Sequence, residues 1–111
     1  MVNLSLSTHA RPDKRNELWS ACQSISDRSR EEPGCLETRQ YQDPDDQSLI
    51  HLEQTWASNA GLDAYLRSDV FGALLGAVKL LGESHAIRIN DGSETEGLEA
   101  VQRARSRDHQ G

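Results

Sequence analysis

Large apolar side chains are scarce in this chain. Its 111 residues include two Trp, two Tyr, one Phe and one Met, and hydrophobic residues make up 35% of the whole. A chain of this length buries only about two-thirds of the surface that it exposes when unfolded. With so few bulky groups a lone copy is expected to be marginal, which is a first pointer to self-association. Long apolar runs are missing as well: none approaches the ~20 residues that a helix needs to cross a bilayer. No basic region followed by an apolar stretch stands at the start, so no signal peptide is expected, and strand-like alternation from Val2 takes Met1 as the true beginning. Positive charge is in deficit, with 12 Lys and Arg against 18 Asp and Glu and a formal charge of −6. That balance argues against nucleic acid or an anionic membrane as the main partner. The two cysteines, Cys22 and Cys35, lack Cys-x-x-Cys spacing and read as reduced thiols of a cytoplasmic protein. No His, Cys and carboxylate cluster has metal-ligand spacing, and neither a Gly-rich phosphate loop nor a nucleophile elbow is present.

What is there is a clear alternation of patterns. Val2, Leu4 and Leu6 alternate with Asn3, Ser5 and Ser7, the period of a strand with one apolar face. Pro12 or Asp13 can open a helix that runs to about Arg30, with Leu18, Cys22 and Ile25 along its apolar side. Glu32-Pro33-Gly34 stops it. A second strand spans Cys35 to Tyr41. Asp43-Pro44-Asp45-Asp46 then forms a polar hairpin, and it lacks the central Gly and distant Glu of a calcium loop. The third strand, Leu49 to Trp56, puts Ile50, Leu52, Gln54 and Trp56 on one face and His51, Glu53 and Thr55 on the other. Ser58 or Asn59 caps a short helix with Leu62, Tyr65 and Leu66 inside. Ser68-Asp69 caps a second piece bearing Phe71, Leu74, Leu75, Val78 and Leu81. Gly72, Gly76 and Gly82 are expected to let neighbouring backbone approach. His85 to Asn90 is the last strand.

The order β-α-β-β-α-β predicts an α+β, ferredoxin-like domain over residues 1–90, with a four-stranded antiparallel sheet and its helices on one face. The other face is left bare, and it carries Asn3, Ser5 and Ser7 on the first strand. A mixed face of this kind suits a second copy of the same sheet, which predicts a homodimer. Residues 91–111 read as a helical extension. Asp91-Gly92 makes a turn, Ser93-x-x-Glu96 a capping box, and Leu98, Val101 and Ala104 a thin stripe ending near Arg107. So narrow a stripe is not stable alone and is expected to dock on the partner subunit.

Several short segments in this order resemble the antibiotic-biosynthesis-monooxygenase family of dimeric α+β barrels. They are Arg11-Pro12-Asp13-Lys14, Glu32-Pro33-Gly34-Cys35, Gln42-Asp43-Pro44-Asp45-Asp46, the strand-ending Trp56, and Ser68-Asp69-Val70-Phe71. The resemblance covers about residues 2–90. It implies a homodimer with facing sheets and a pocket in each subunit between sheet and helices. Some members oxidise quinols or aromatic polyketides with dioxygen and no metal or flavin; others degrade haem. Haem degradation is disfavoured here, because Leu6, Tyr65 and Leu75 stand where such members carry Asn, Trp and His, and no axial ligand is evident. Gln54 stands where many members carry Glu.

Cofactor-free oxygenation needs an electron-rich, deprotonated substrate that itself reduces oxygen. The protein must exclude water, orient the ring and offer hydrogen bonds to a phenolate. The resemblance then implies Trp56 and Tyr65 as the residues that orient a ring, with His51 for proton handling. Leu6, Gln54, Phe71 and Leu75 would line the pocket. No cofactor is implied. His85 is a second polar strand residue that a dimer-facing surface could make a proton acceptor. Two other readings use the same residues: a binding module that holds a small aromatic molecule without turnover, and an assembly module that reaches a partner through its tail.

Overall fold

The computed structural model describes residues 1–90, the backbone of 94–96, and residues 101, 104 and 105. Its elements are β1 (Val2–Ala10), α1 (Arg15–Ser29), β2 (Cys35–Gln42), β3 (Leu49–Trp56), α2 (Asn59–Leu66), α3 (Asp69–Leu81), β4 (Gly82–Asn90) and the three-residue β5 (Glu94–Glu96). The strands form an antiparallel sheet in the order β2-β3-β1-β4-β5. The four long strands have the ferredoxin-like arrangement, and β5 adds a short strand outside β4.

Alternation decides which side of the sheet is dry. Val2, Leu4, Leu6, Thr8 and Ala10 of β1 are buried, as are Ile50, Leu52, Gln54 and Trp56 of β3. Antiparallel pairing sets Val2 opposite Trp56, Leu4 opposite Gln54 and Leu6 opposite Leu52. Cross-strand partners point to the same side, so these residues make one continuous inner face. Leu18, Cys22 and Ile25 of α1 cover it together with Leu62, Tyr65 and Leu66 of α2 and Phe71, Leu74 and Val78 of α3.

The helix boundaries follow from local chemistry. Ser58 caps α2, its hydroxyl accepting the Gly61 N–H at 3.1 Å. Ser68 works at both ends of a junction. Its hydroxyl donates to the Tyr65 carbonyl at 2.6 Å, near the end of α2, and accepts the Phe71 N–H at 3.2 Å, in the first turn of α3. The first helix starts later than expected. Asp13 takes a left-handed backbone conformation (φ 68°), one that Asp tolerates better than most residues, and α1 begins at Arg15. The last long strand starts earlier, because Gly82 passes directly from α3 into β4. A Cβ at Gly82 would lie 2.6 Å from both Thr8 Oγ1 and the Val78 carbonyl. Gly76, by contrast, has nothing within 4 Å of that point, so it makes no close approach.

The tail departs from its expected form. Glu94–Glu96 is a strand paired with β4 where a helical first turn was expected. The edge of β4 offers unpaired backbone groups, and a short local ladder of Glu94–Glu96 along Arg88, Ile89 and Asn90 pairs with the end of that edge. Val101 and Ala104 are helical and buried in this chain's own core rather than held for a partner. Arg105 donates to the Leu66 carbonyl at 3.0 Å. Asp91-Gly92, Ser93, Leu98 and Arg107 lie outside the described residues.

Candidate functional site

Two groups of polar side chains stand out, one on each side of the sheet. The inner group lies where the end of β3 meets α2. Gln54 and Trp56 are two apart on β3 and therefore share its inner face. Tyr65 and Phe71 come from α2 and α3. The Trp56 and Tyr65 rings lie 4.5 Å apart at a 31° tilt, and Tyr65 meets Phe71 edge-on at 5.3 Å. Trp56 and Phe71 are 0% exposed, Tyr65 1% and Gln54 2%.

The hydrogen bonds of this corner have a readable direction. Ser29 Oγ donates to the Ile25 carbonyl at 2.9 Å, which uses its only proton. It therefore accepts from the Tyr65 hydroxyl, 2.8 Å away. Tyr65 in turn accepts from Gln54 Nε2 at 3.3 Å, and the same amide nitrogen donates to Thr38 Oγ1 at 3.4 Å. Gln54 Oε1 accepts the Trp56 indole N–H at 3.3 Å. The donors of Ser29, Tyr65, Gln54 and Trp56 are thus all committed within the chain. Burial pushes the Tyr65 hydroxyl above its ordinary range, against the opposing pull of Ser29 and Gln54, and pushes the nearby core thiol of Cys22 up to about 11. Among the described residues, the buried polar side chains are Thr8, Ser26, Ser29, Thr38 and Gln54. None of these can accept a proton at neutral pH.

The outer group lies on the face that no helix covers. Ser5 donates to Glu53 Oε2 at 2.5 Å, and Thr55 donates to Asn3 at 3.1 Å. Two residues further along, Ser7 Oγ lies 2.8 Å from His51 Nδ1, and His51 Nε2 lies 2.9 Å from Asp43 Oδ1. The other Asp43 oxygen accepts the Asp45 N–H at 3.0 Å, which fixes the carboxylate in its turn. The His51 contact, with that backbone bond, holds the Asp43 carboxyl below the usual carboxylate range. Tyr41 of β2 lies against the imidazole, ring centres 5.0 Å apart. A cleft of about 330 Å³ opens beside this row, lined by Asn3, Ser5, Arg39, Glu53, Thr55 and Asn90 among others.

The structure therefore brings Trp56, Tyr65, Gln54 and Phe71 together and sets His51 apart on the opposite face. Leu6 is buried opposite Leu52 in the same core, and Leu75 is a half-buried residue of α3 packed against it. His85 is paired with Thr8, which puts it on the helix side of the sheet and away from His51. Sequence reasoning missed Ser29, although it continues the Leu18, Cys22 and Ile25 stripe at helical spacing. It also missed the Asp43–His51–Ser7 chain, whose signal was the register shared by the hairpin and the first strand. No group of three or more His, Cys, Asp or Glu among the described residues could hold a metal ion.

Comparison with known proteins agrees with this architecture. An uncharacterized protein of Synechocystis is 28% identical over 89 residues, which are 79% of this chain. The chain spans 60% of the length of that curated relative. A crystal structure described as an antibiotic biosynthesis monooxygenase has a TM-score of 0.74 at 17% identity, covering 84% of this chain and 99% of its own. A Mycobacterium tuberculosis protein has a TM-score of 0.75 at 21% identity, covering 85% of this chain and 96% of its own. At such identities the solved structures are evidence for the fold alone. The family model described as antibiotic biosynthesis monooxygenase matches residues 1–76. With more than half of its length matched in that way, the chain belongs to the antibiotic biosynthesis monooxygenase family.

Proposed function

We propose that this protein is a monooxygenase that oxidises a small, electron-rich phenol or quinol with dioxygen, without a metal, flavin or haem. It acts as a homodimer whose bare sheet faces meet, and it works in the cytoplasm. The observation that carries the reading is the family match over residues 1–76, which spans every strand and helix around both polar groups up to the middle of α3.

The chemistry asks three things of the protein: a flat surface for the ring, exclusion of water, and a place for the proton that the ring gives up. Two sets of side chains are available. The Trp56–Tyr65 corner offers aromatic surface and hydrogen-bond donors, with Leu6, Gln54, Phe71 and Leu75 around it. A ring bound there would have to draw Tyr65 away from Ser29 or Gln54. The outer face offers the proton acceptor, His51. Closing two such faces over one another would remove bulk water from the cleft.

Oxygen uptake with a panel of hydroquinones and polycyclic phenols, in the presence of a chelator, tests the reading. Protein-dependent uptake above autoxidation is expected. A second reading is favoured by the hydrogen-bond network at Tyr65, in which the donors of Tyr65, Gln54 and Trp56 are already engaged. In that reading the protein holds a small aromatic ligand without turning it over. Saturable binding with no uptake would select the second reading over the first.

A further inference from the structure

Charge on the outer face is arranged in a row that crosses the strands. β1 is the middle strand of the sheet, with β3 on one side and β4 on the other. Ser5 of β1 pairs with Glu53 of β3 and with Arg88 of β4; Glu53 pairs in turn with Arg39 of β2, and Arg88 with Glu96 of β5. Across the sheet the row therefore runs Arg39, Glu53, Ser5, Arg88, Glu96. Residues equally far from Ser5 on its two sides have opposite charge. Within one chain these groups are unequally served. Glu53 accepts from Ser5 at 2.5 Å, and Arg39 lies 3.6 Å from Glu37. Arg88 is exposed and has no ion-pair partner among the described residues.

Two such sheets can close face to face about a two-fold axis that runs along the strands or across them. An axis along β1 lays each row over itself with its ends exchanged. Glu53 then meets the partner's Arg88, and Arg39 meets the position of the partner's Glu96. An axis across the strands at Ser5 sets Glu53 on the partner's Glu53 and Arg88 on the partner's Arg88. Size points the same way in the next row, which runs Tyr41, His51, Ser7, Ala86. An axis along β1 puts the His51 imidazole over the partner's Ala86, a large group over a small one. The row at Asn3 carries acid at both ends, Glu37 and Glu94, and there Glu37 is already held by Arg39. Packed sheets stand about 10 Å apart, a gap that Glu and Arg side chains span when they reach towards each other. Aligned sheets cross at about 30°, so residues one strand from the axis drift sideways by only ~2–3 Å.

We propose that two copies of this chain close their outer faces about an axis along β1, and that the partner subunit's Arg88 pairs with Glu53 and completes the cleft beside it. The homodimer itself belongs to the preceding reading; the direction of closure and the residue pair that sets it are what the charge row adds. Each dimer holds the pair twice. In one chain the cleft is lined by two carboxylates, Glu37 and Glu53, and one guanidinium, Arg39. The partner's Arg88 supplies the second guanidinium, so the wall of the closed cleft is balanced. Opposite charges across an interface select one orientation, and like charges reject the other.

The test reverses the two charges in the full chain and follows self-association by sedimentation at micromolar concentration. Glu53→Arg and Arg88→Glu, each alone, set like charges together twice per dimer and should weaken association at least about tenfold. Mixed in equal amounts, the two variants restore both contacts, so native mass spectrometry should find the heterodimer in excess of either homodimer. A chain carrying both changes should associate like the parent. Lys79→Glu, on the exposed side of α3, should change nothing. Circular dichroism checks the fold of each variant. Should a reversed chain lose it, Glu53→Gln and Arg88→Gln take its place, and the two together should then weaken association no more than either alone. The pairing is overturned if the mixed variants stay sorted as homodimers, or if the chain with both changes stays apart. A dimer indifferent to both reversals would overturn the pairing and keep the homodimer. A parent chain still monomeric at millimolar concentration would overturn both.

Discussion

Tyr65 shows how a single hydroxyl organises the interior. It stands between Ser29 of α1 and Gln54 of β3 while its ring is held between Trp56 and Phe71. Removing it by Tyr65→Phe leaves the ring packing in place and costs Gln54 one of its partners. A loss of about 1–3 kcal/mol in urea unfolding is expected, the range for orphaning a buried polar group. Ser26 makes the opposite case. Its hydroxyl is buried and finds no partner, so Ser26→Ala should be neutral or stabilising in the same experiment. Cys22 sets a pH limit. Its thiol titrates near 9.0 when unfolded and at about 11 in the fold because burial disfavours the thiolate. A raised acid pKa contributes stability that is complete below the unfolded value and lost as pH climbs towards the folded one. Thermal midpoints should therefore fall between about pH 9 and 11, and Cys22→Ala should flatten that fall.

Individual elements separate into those that local chemistry explains and those that it cannot. Strand β3 runs from Leu49 to Trp56 as its alternation predicts, because every second residue is apolar and a shift of one would invert both faces. The junction at Ser68 was legible for a similar reason: one serine after an apolar turn serves both neighbouring helices. The start of α1 was not, because Asp13 spends a left-handed residue where helix entry looked equally good. Nor was β5, because Ser93-x-x-Glu96 reads equally well as the first turn of a helix, whereas Glu94–Glu96 folds back along the end of β4. Gly76 inside α3 and Gly82 at its C-cap show the same division. They look alike in sequence, yet Gly82 faces Thr8 and a carbonyl at 2.6 Å whereas Gly76 faces open space. Gly76→Ala should stabilise the protein by about 0.5–1 kcal/mol through helix propensity. Gly82→Ala should destabilise it by about 1–3 kcal/mol through overpacking. Urea midpoints of the two variants, moving in opposite directions, check both.

At the scale of the whole molecule, the candidate site was only partly legible. Trp56, Gln54 and Tyr65 meet because a strand end and the next helix are neighbours in sequence, so spacing alone places them together. His51 stands on the other side because β3 alternates, which spacing also foretold. The partner that gives His51 a direction, Asp43, lies across the hairpin, and only the register of β2 on β3 brings the two into contact. The tail also belongs to the whole. Val101 and Ala104 complete the same core as Leu18 and Phe71, so a chain ended after Asn90 should melt at a lower temperature by circular dichroism even as a monomer.

Ending the chain there would have a second effect, because among the described residues β5 is all that pairs with the outer side of β4. Uncovered, the end of that strand from Arg88 to Asn90 would present its amides and carbonyls to solvent as a template for any like strand. Three residues of tail thus act as a selvedge, finishing the cloth so that neighbouring pieces do not knit onto it. A shortened chain should scatter light and bind amyloid dyes at concentrations where the full chain stays clear.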